Sequence, residues 1–386
     1  MEFEKIIPIV VLCLFFASRV SEARILSDEE DLELERQLKL INKPPVKSIQ
    51  TEFGHIVDCI DINKQPSFDH PLLKDHKIQR NPSFLRGQTK NGDLSQTRSS
   101  MIGLPRGACP LGTVPIRRAT KEDLIESKLL LKNIQPQAAK EFNRYRAYLQ
   151  MENITNYTGI EGNITVYNPQ FKDGQTYANM YVHNGMEEYI NSIATGWMVA
   201  PGFYRDGSSH FFATYTNDGY KKSGCINYMC PGFVQIDDSV YLGAALYNVS
   251  VVGGNLFQIV LSLQQDSDYN WWISIEGSVV GYYPAAIVFN LNHPNVIGWG
   301  GVADSLSNKN SPPMESGEFP DGIDNHASFT NIQYRNQGNT TLVPQSTHYQ
   351  IINDSPKCYG LKYDGDKGQP LGFTFQFGGP GGQCNN

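Results

Sequence analysis

The sequence has no Gly-x-Ser-x-Gly elbow, no His-Glu-x-x-His, no phosphate-binding loop and no duplicated Cys-x-x-Cys. Those absences remove the serine-hydrolase, zinc-peptidase, nucleotide-binding and zinc-ribbon chemistries that local motifs would carry. A basic surplus is missing as well: 32 Lys and Arg face 39 Asp and Glu, for a net charge of -7. Neutralising a phosphate backbone needs a basic face, so nucleic acid is not an expected partner. The N-terminal apolar run, Ile6 to Ala17, is too short to span a bilayer. From Tyr145 onward, helical periodicity is absent over long stretches.

That apolar run precedes the small-residue pattern Ser21-Glu22-Ala23 and reads as a secretory signal peptide over residues 1–23, although Glu2 and Glu4 outnumber Lys5 in front of it. No membrane contact is expected once it is removed. Cys13 leaves with it, and Cys59, Cys109, Cys225, Cys230, Cys358 and Cys384 remain. An even count in an exported chain reads as three disulfides, with the pairing left open by number alone. Clustered histidines and Cys-x-x-Cys pairs are lacking, so neither metal nor other cofactor is expected. Sequons stand at Asn153, Asn156, Asn163, Asn248, Asn339 and Asn353 and predict N-glycosylation, while Asn81 is excluded by Pro82. Asn353 is the weakest of them, since Pro356 follows its serine.

Charge divides the chain near residue 140. Residues 24–140 hold 19 Lys and Arg against 15 Asp and Glu, whereas residues 141–386 hold 11 against 21. A basic leader ahead of an acidic domain fits a pro-segment docked on the part it masks; a solvated basic linker is the alternative. Within the leader, Asp28 to Leu40 and the stretch from Lys121 to Ile134 predict helices, and the polar residues 80–105 predict an exposed loop. Residues 128–143 form the expected processing region. Beyond Tyr145, runs such as GNITVYN, HFFATYTNDG and FTFQFGG alternate in hydrophobicity between Asn-Asp-Gly, Gly-Gly and Pro-Gly turns. Many short strands with frequent turn signals predict an all-β sandwich.

Five segments carry a resemblance to a known family: NSIATGW from Asn191, GWGGVADS from Gly298, VDCIDINKQPSFDHPLLKDH from Val57, YTNDGYKKSGCINYMCPGFVQ from Tyr215 and NWWISIEGSVVGYYPAAIV from Asn270. They resemble the neprosin family of secreted plant glutamic peptidases, which cleave after proline. The resemblance implies an antiparallel β-sandwich of two stacked sheets with a groove on the concave face, preceded by a small disulfide-stapled activation module. It assigns residues 24–140 to that module, 141–386 to the peptidase-like domain, and pairs Cys59 with Cys109, Cys225 with Cys230, and Cys358 with Cys384. His70 and His76 match the module's pattern and read as structural.

The family's two glutamates sit two residues before the Gly-Trp of the first segment and directly after the Trp-Gly-Gly of the second. Here Ala194 and Val302 fill those places. One carboxylate takes a proton from the attacking water while the other, held protonated, donates to the amide or its oxyanion. A methyl and an isopropyl group do neither. Trp197 and Trp299 mark the two strands and, with Gly196, Gly300 and Gly301, are the expected residues of a groove in which an extended peptide lies against the sheet.

Two other acids are candidates for replacing the missing pair. Asp304 shares a strand face with Val302, and Glu276 shares one with Ser274 and Trp272, pointing out of the core toward the groove. A two-residue shift moves a carboxylate by about 6 to 7 Å, whereas proton transfer needs about 3 Å or one bridging water. The expectation is therefore a secreted, extracellular, cell-wall or vacuolar protein that binds extended, proline-containing peptides or protein segments without cutting them. An active post-proline endopeptidase using displaced acids is the alternative, and a wall or storage protein without a groove ligand is a third. A chain that does not cut needs another protease to remove its leader, or keeps it.

Overall fold

The computed structural model describes residues 28–85, 102–135, 141–152, 154–185, 189–321 and 327–384. The expected signal peptide and the Asn153 sequon lie outside the described residues.

The leader is a folded module. α1 (Asp28–Ile41) buries Leu34 and Ile41 and leaves Leu32 in solvent. β1 (Lys47–Gln50), β2 (Ile56–Asp61) and β3 (Thr113–Arg117) pair antiparallel in that order. Cys59 bonds Cys109 and so ties β2 to the approach of β3. α2 (Lys121–Lys132) starts at Thr120, whose hydroxyl accepts the Asp123 N–H while the Asp123 carboxylate accepts that of Thr120. This reciprocal cap satisfies two N–H groups that the first turn leaves over.

The body follows as β4 (Phe142–Glu152), β5 (Tyr157–Thr165), β6 (Gln175–Asn184), β7 (Asn191–Val199), the short α3 (Pro201–Tyr204), and β8 (His210–Thr216). Next come β9 (Cys225–Ile226), β10 (Val234–Gln235), β11 (Gln258–Gln265), β12 (Trp271–Ile275), β13 (Ser278–Tyr283) and β14 (Val296–Leu306). β15 (Ser328–Asn336), β16 (Thr341–Leu342), β17 (Tyr349–Asn353), β18 (Gly360–Asp366) and β19 (Phe373–Gly378) complete it. The strands form two antiparallel sheets. One has the order β17-β4-β14-β6-β7-β8-β9, and the other β10-β13-β12-β11-β5-β15-β19-β18 with β16 on β15. The other two disulfides join Cys225 to Cys230 and Cys358 to Cys384.

The sheets stack through aromatic side chains. Trp197 and Trp299 are fully buried, and their indole N–H groups donate across the core to Thr165 O at 2.8 Å and Glu161 O at 3.0 Å, both on β5. An indole buried with its N–H satisfied brings the apolar gain without an orphaned donor, and truncating such a side chain costs about 3 to 5 kcal/mol.

Leader and body share one continuous core that includes Ile116, Leu124 and Leu130. Gln65 and Gln235 exchange hydrogen bonds, the Gln65 carboxamide donating to Gln235 O at 3.1 Å and accepting its N–H at 2.7 Å. Residues 102–105 were expected in an exposed loop. Instead Ile102 bridges Leu246, Leu104 N–H donates to Ser239 O, and both side chains are buried. Docking is therefore real, and apolar contact and amide pairing contribute to it beside boundary ion pairs of both senses: Lys132–Glu141 has its base in the leader, Arg205–Asp123 in the body. Among the sequons, Asn339 is exposed, while Asn156, Asn163, Asn248 and Asn353 are partly exposed. The Asn353 amide donates to Tyr359 O at 3.0 Å.

A Cβ on Gly300 would fall 2.1 Å from Ala147 O and 2.6 Å from the Tyr148 ring. Backbone cannot move aside as a flexible side chain does, so Gly300→Ala should cost about 2 kcal/mol or more in urea unfolding. A midpoint equal to that of the unaltered protein would refute this account of the strand.

Candidate peptide groove

The groove is the face of the seven-stranded sheet turned away from the second sheet. Strand register decides which residues share it. Ala194 pairs with Tyr181, which pairs with Gly298, and Val302 pairs with Tyr177 and Arg146. Paired residues point to the same side and successive residues to opposite sides. Ala194, Gly196, Gly298, Gly300, Val302 and Asp304 thus stand on the groove face, and Trp197, Trp299 and Gly301 on the core face. The groove assignment of those last three is corrected: the tryptophans are sealed between the sheets, and a Cβ on Gly301 would strike Phe377 and Met314.

A cavity of about 450 Å³ lies over this face. Its floor is aromatic. Tyr148 and Tyr181 meet edge to face at 5.1 Å, Tyr181 stacks on His183 at 5.3 Å, and Tyr177 meets Phe212 at 5.6 Å. Gly298 makes room for this floor, since a Cβ there would lie 2.5 Å from the Tyr181 ring. The leader supplies the roof. Leu130 of α2 and Ile134 line the cavity beside Ala194, and the Gln135 carboxamide donates to Tyr220 O. Of the expected processing region, residues 128–132 form the last part of α2 and 142–143 open β4. A wider cleft of about 1310 Å³ separates α1 from α2, but Glu, Lys and Arg side chains dominate it and the sheet face takes no part.

The polar groups of the floor are occupied with one another. Tyr148 OH donates to Asn179 Oδ1, Tyr181 OH to Gln150 Oε1, and Arg144 to Tyr177 OH. Burial pushes the Tyr177 and Tyr181 hydroxyls well above the usual tyrosine range and the His183 imidazole down to about 4, so all three are neutral at ordinary pH. Among the described residues lining the cavity there is no Asp or Glu. Arg144 and Arg146 are there, but Asp304 and Asp354 answer their charges at 3.1 Å and 2.8 Å.

The alternative acids do not converge. Asp304 is on the groove face as expected, yet only 1 % exposed, held by Arg144 and by the Gln175 carboxamide at 2.8 Å. Burial raises its pKa against the pull of Arg144. Glu276 belongs to the other sheet, in the β12–β13 turn at φ 51°, where its carboxylate accepts Val260 N–H at 2.7 Å. Its expected direction toward the groove is corrected, because the strand turns over at this residue and period-two counting no longer applies. Val302 is fully buried between Arg146 and Tyr177, whereas Ala194 lines the cavity.

Groove tyrosines were expected from the aromatic-rich strands, but not which ones, and Arg144 was missed, its only signal being alternation along β4. Sequence reasoning also missed Glu315, 1 % exposed beside Thr165 and Ser328. One Glu315 oxygen has no partner, and burial raises this carboxyl well above its usual range. It sits by the core-side Thr165 and does not line the groove. No three potential metal ligands cluster among the described residues, and no described helix is long and apolar enough to cross a membrane.

The described residues thus form a two-sheet sandwich with a cavity on one sheet face beneath a docked leader. Comparison with known sequences is in accord: the Neprosin profile matches residues 172–380, and that of the Neprosin activation peptide matches residues 48–159. The chain belongs to the neprosin family. Among solved structures it is similar to scytalido-glutamic peptidase bound to a transition state analog inhibitor, at 10% identity over 62% of this chain and 98% of that one, with a TM-score of 0.35. It is also similar to SCP-B, an Eqolisin-family peptidase in complex with the tripeptide Ala-Ile-His, at 10% identity over 61% and 97% of the two chains, with a TM-score of 0.29.

Glu315 generates a test. Its folded pKa is raised, so its contribution is intact below the unfolded value of about 4.5 and is lost as pH rises toward the folded value. Glu315→Gln should leave stability near pH 4 little changed and raise it relative to the unaltered protein at neutral pH. Thermal unfolding followed across pH checks this, and a difference that does not grow with pH contradicts it.

Proposed function

We propose that this neprosin-family protein is exported, does not cleave peptides, and binds extended, proline-containing chain segments in the tyrosine-floored groove. The observation that carries the reading is the hydrocarbon pair on the groove face: Ala194 and Val302 stand where the family resemblance puts its glutamates, and among the described residues no carboxylate lines the cavity. Without an acid there, water has no general base and the leaving amine no donor.

The remaining surface suits a neutral ligand. Each arginine is balanced by an aspartate, and tyrosine rings offer flat apolar faces. Polyproline segments are already extended and lose little entropy on docking against aromatic grooves. The leader covers the groove through Leu130 and Ile134, so a ligand reaches it only after this roof lifts. Export by the N-terminal apolar segment and glycosylation of exposed sequons such as Asn339 belong to the same reading. Displaced-acid catalysis finds little support, since Asp304 and Glu276 stand on different sheets. A wall or storage role without a ligand is what failure to bind any proline-containing peptide would favour.

An acid-pH assay on a proline-containing substrate tests the proposal. The unaltered protein should leave the substrate intact, and the double variant Ala194→Glu with Val302→Glu should gain cleavage. Turnover by the unaltered protein would overturn the proposed inactivity. Calorimetric titration with a proline-rich peptide, comparing Ile134→Ala with the unaltered chain, should show tighter binding in the variant; no heat in either would remove the peptide-binding claim.

A further inference from the structure

We propose that the outer face of the second sheet carries a second peptide site, built from Trp272, Tyr282, Asn270 and Asp268, which takes a short strip bearing a glutamine and, five positions on, a phenylalanine. In the intact chain the leader's own residues 76–84 fill it. Trp272 pairs with Gln264 and with Tyr282, whereas Trp271 and Ile273 point into the core. Alternation therefore puts Trp272 and Tyr282 on the side turned away from the seven-stranded sheet. There the two rings meet at 4.3 Å. With Val234 they form an apolar cluster separate from the main core, and the leader's Phe68 and Phe84 pack over it. The neighbouring positions on this face are polar: Gln264, Ser274, Ser262 and Glu161.

The body holds the recognising groups in place by itself. The Asp266 carboxylate organises the β11–β12 turn, accepting the N–H groups of Asp268 at 2.9 Å and Asn270 at 3.0 Å and the Trp272 indole at 2.8 Å. The Asn270 carboxamide oxygen accepts the Ala285 N–H at 2.9 Å, which turns its amide end toward the strip. That amide donates to Gln79 Oε1 at 2.7 Å, and the Gln79 amide donates to Asp268 Oδ2 at 3.1 Å, so the strip's carboxamide is read at both ends. The Gln79 main-chain N–H donates to Tyr282 OH at 3.0 Å, His76 Nε2 lies 2.7 Å from the same hydroxyl, and Ser267 N–H donates to Ser83 Oγ at 2.9 Å. Asp266 and Asn270 are only 7 % and 6 % exposed. Donors and acceptors fixed before the occupant arrives cost little ordering entropy on binding.

The pattern is selective. A glutamate in place of the glutamine has no N–H for Asp268 and sets one carboxylate against another. Pro82 lies buried between Gln79 and Phe84, so the strip presents three anchors: carboxamide, pyrrolidine and ring. Once the strip leaves, Trp272 and Tyr282 face solvent on an otherwise polar sheet. Aromatic side chains of this kind carry roughly 150–250 Å² each, and an apolar patch of that size with a polar rim marks an interaction site. An incoming segment of the same chemistry covers it. This site is independent of the groove, since it belongs to the other sheet and neither of its rings lines the cavity over Ala194.

All 4 tryptophans are fully buried in the intact chain, so acrylamide quenching of tryptophan fluorescence reports the opening of this site. In the full chain, Gln79→Pro with Phe84→Asp removes the N–H, the carboxamide and the ring of the strip. Quenching should rise, and Trp272→Phe in the same background should cancel the rise. A peptide spanning residues 76–85 should then bind in calorimetric titration and return quenching to its low level. The unaltered chain should bind no peptide, because its tethered strip competes at an effective concentration on the order of millimolar. Gln79→Glu within the peptide should weaken binding by about tenfold or more. Where the double variant does not fold, Gln79→Ala alone opens the strip and is read in the same way. An opened chain that binds no peptide, or that binds the glutamine and glutamate peptides equally, overturns the proposal, as does an opened chain with unchanged quenching.

Discussion

Side-chain alternation along β7 and β14 is the constraint on which both core and groove depend. A single register sends Trp197 and Trp299 into the space between the sheets and Ala194 and Val302 to the other side. Slipping either strand by one residue would turn its indole out of the core and its groove residues inward, so the tryptophans fix the groove as firmly as they fix the core. The glycines between them serve the same geometry. Gly298 lies under the Tyr181 ring and Gly300 against the neighbouring strand, which lets a sheet with bulky residues on β4 and β6 keep an open face.

The all-β character and both leader helices were legible, because turn dipeptides and helical periodicity act locally. Which face each residue occupies was less so. β14 is buried at every position except Leu306, and β7 at every position except Ala194. A strand covered on both sides loses the polar half of its alternation, and with it the signal that separates Trp299 from Gly300. Residues 102–105 misled for a related reason. Their flanking composition is polar, but their partners Ser239 and Leu246 lie more than a hundred residues away, beyond the reach of any local pattern. At Glu276 a positive φ reverses the chain, and counting by twos fails there.

The leader's net charge pointed to docking, although charge is not the main bond that holds it. Reciprocal amide pairing at Gln65 and Gln235 and a shared apolar core do more of that work. Buried polar pairs of this kind demand exact placement, and a displaced leader would leave the Gln235 N–H without its partner. Long-range attraction between a basic and an acidic module brings them together; short-range complementarity sets how they fit.

The position of β4 has a topological consequence. This strand begins at Phe142, directly after the leader, and lies inside its sheet between β14, which pairs with its whole length, and β17, which pairs with Ala147 to Met151. New chain termini created just ahead of it would therefore hang from a strand held by β14 from its first residue and by β17 from Ala147 onward. Severing the backbone there changes connectivity without unthreading the sheet, and the two pieces would stay together or part according to their mutual surface alone.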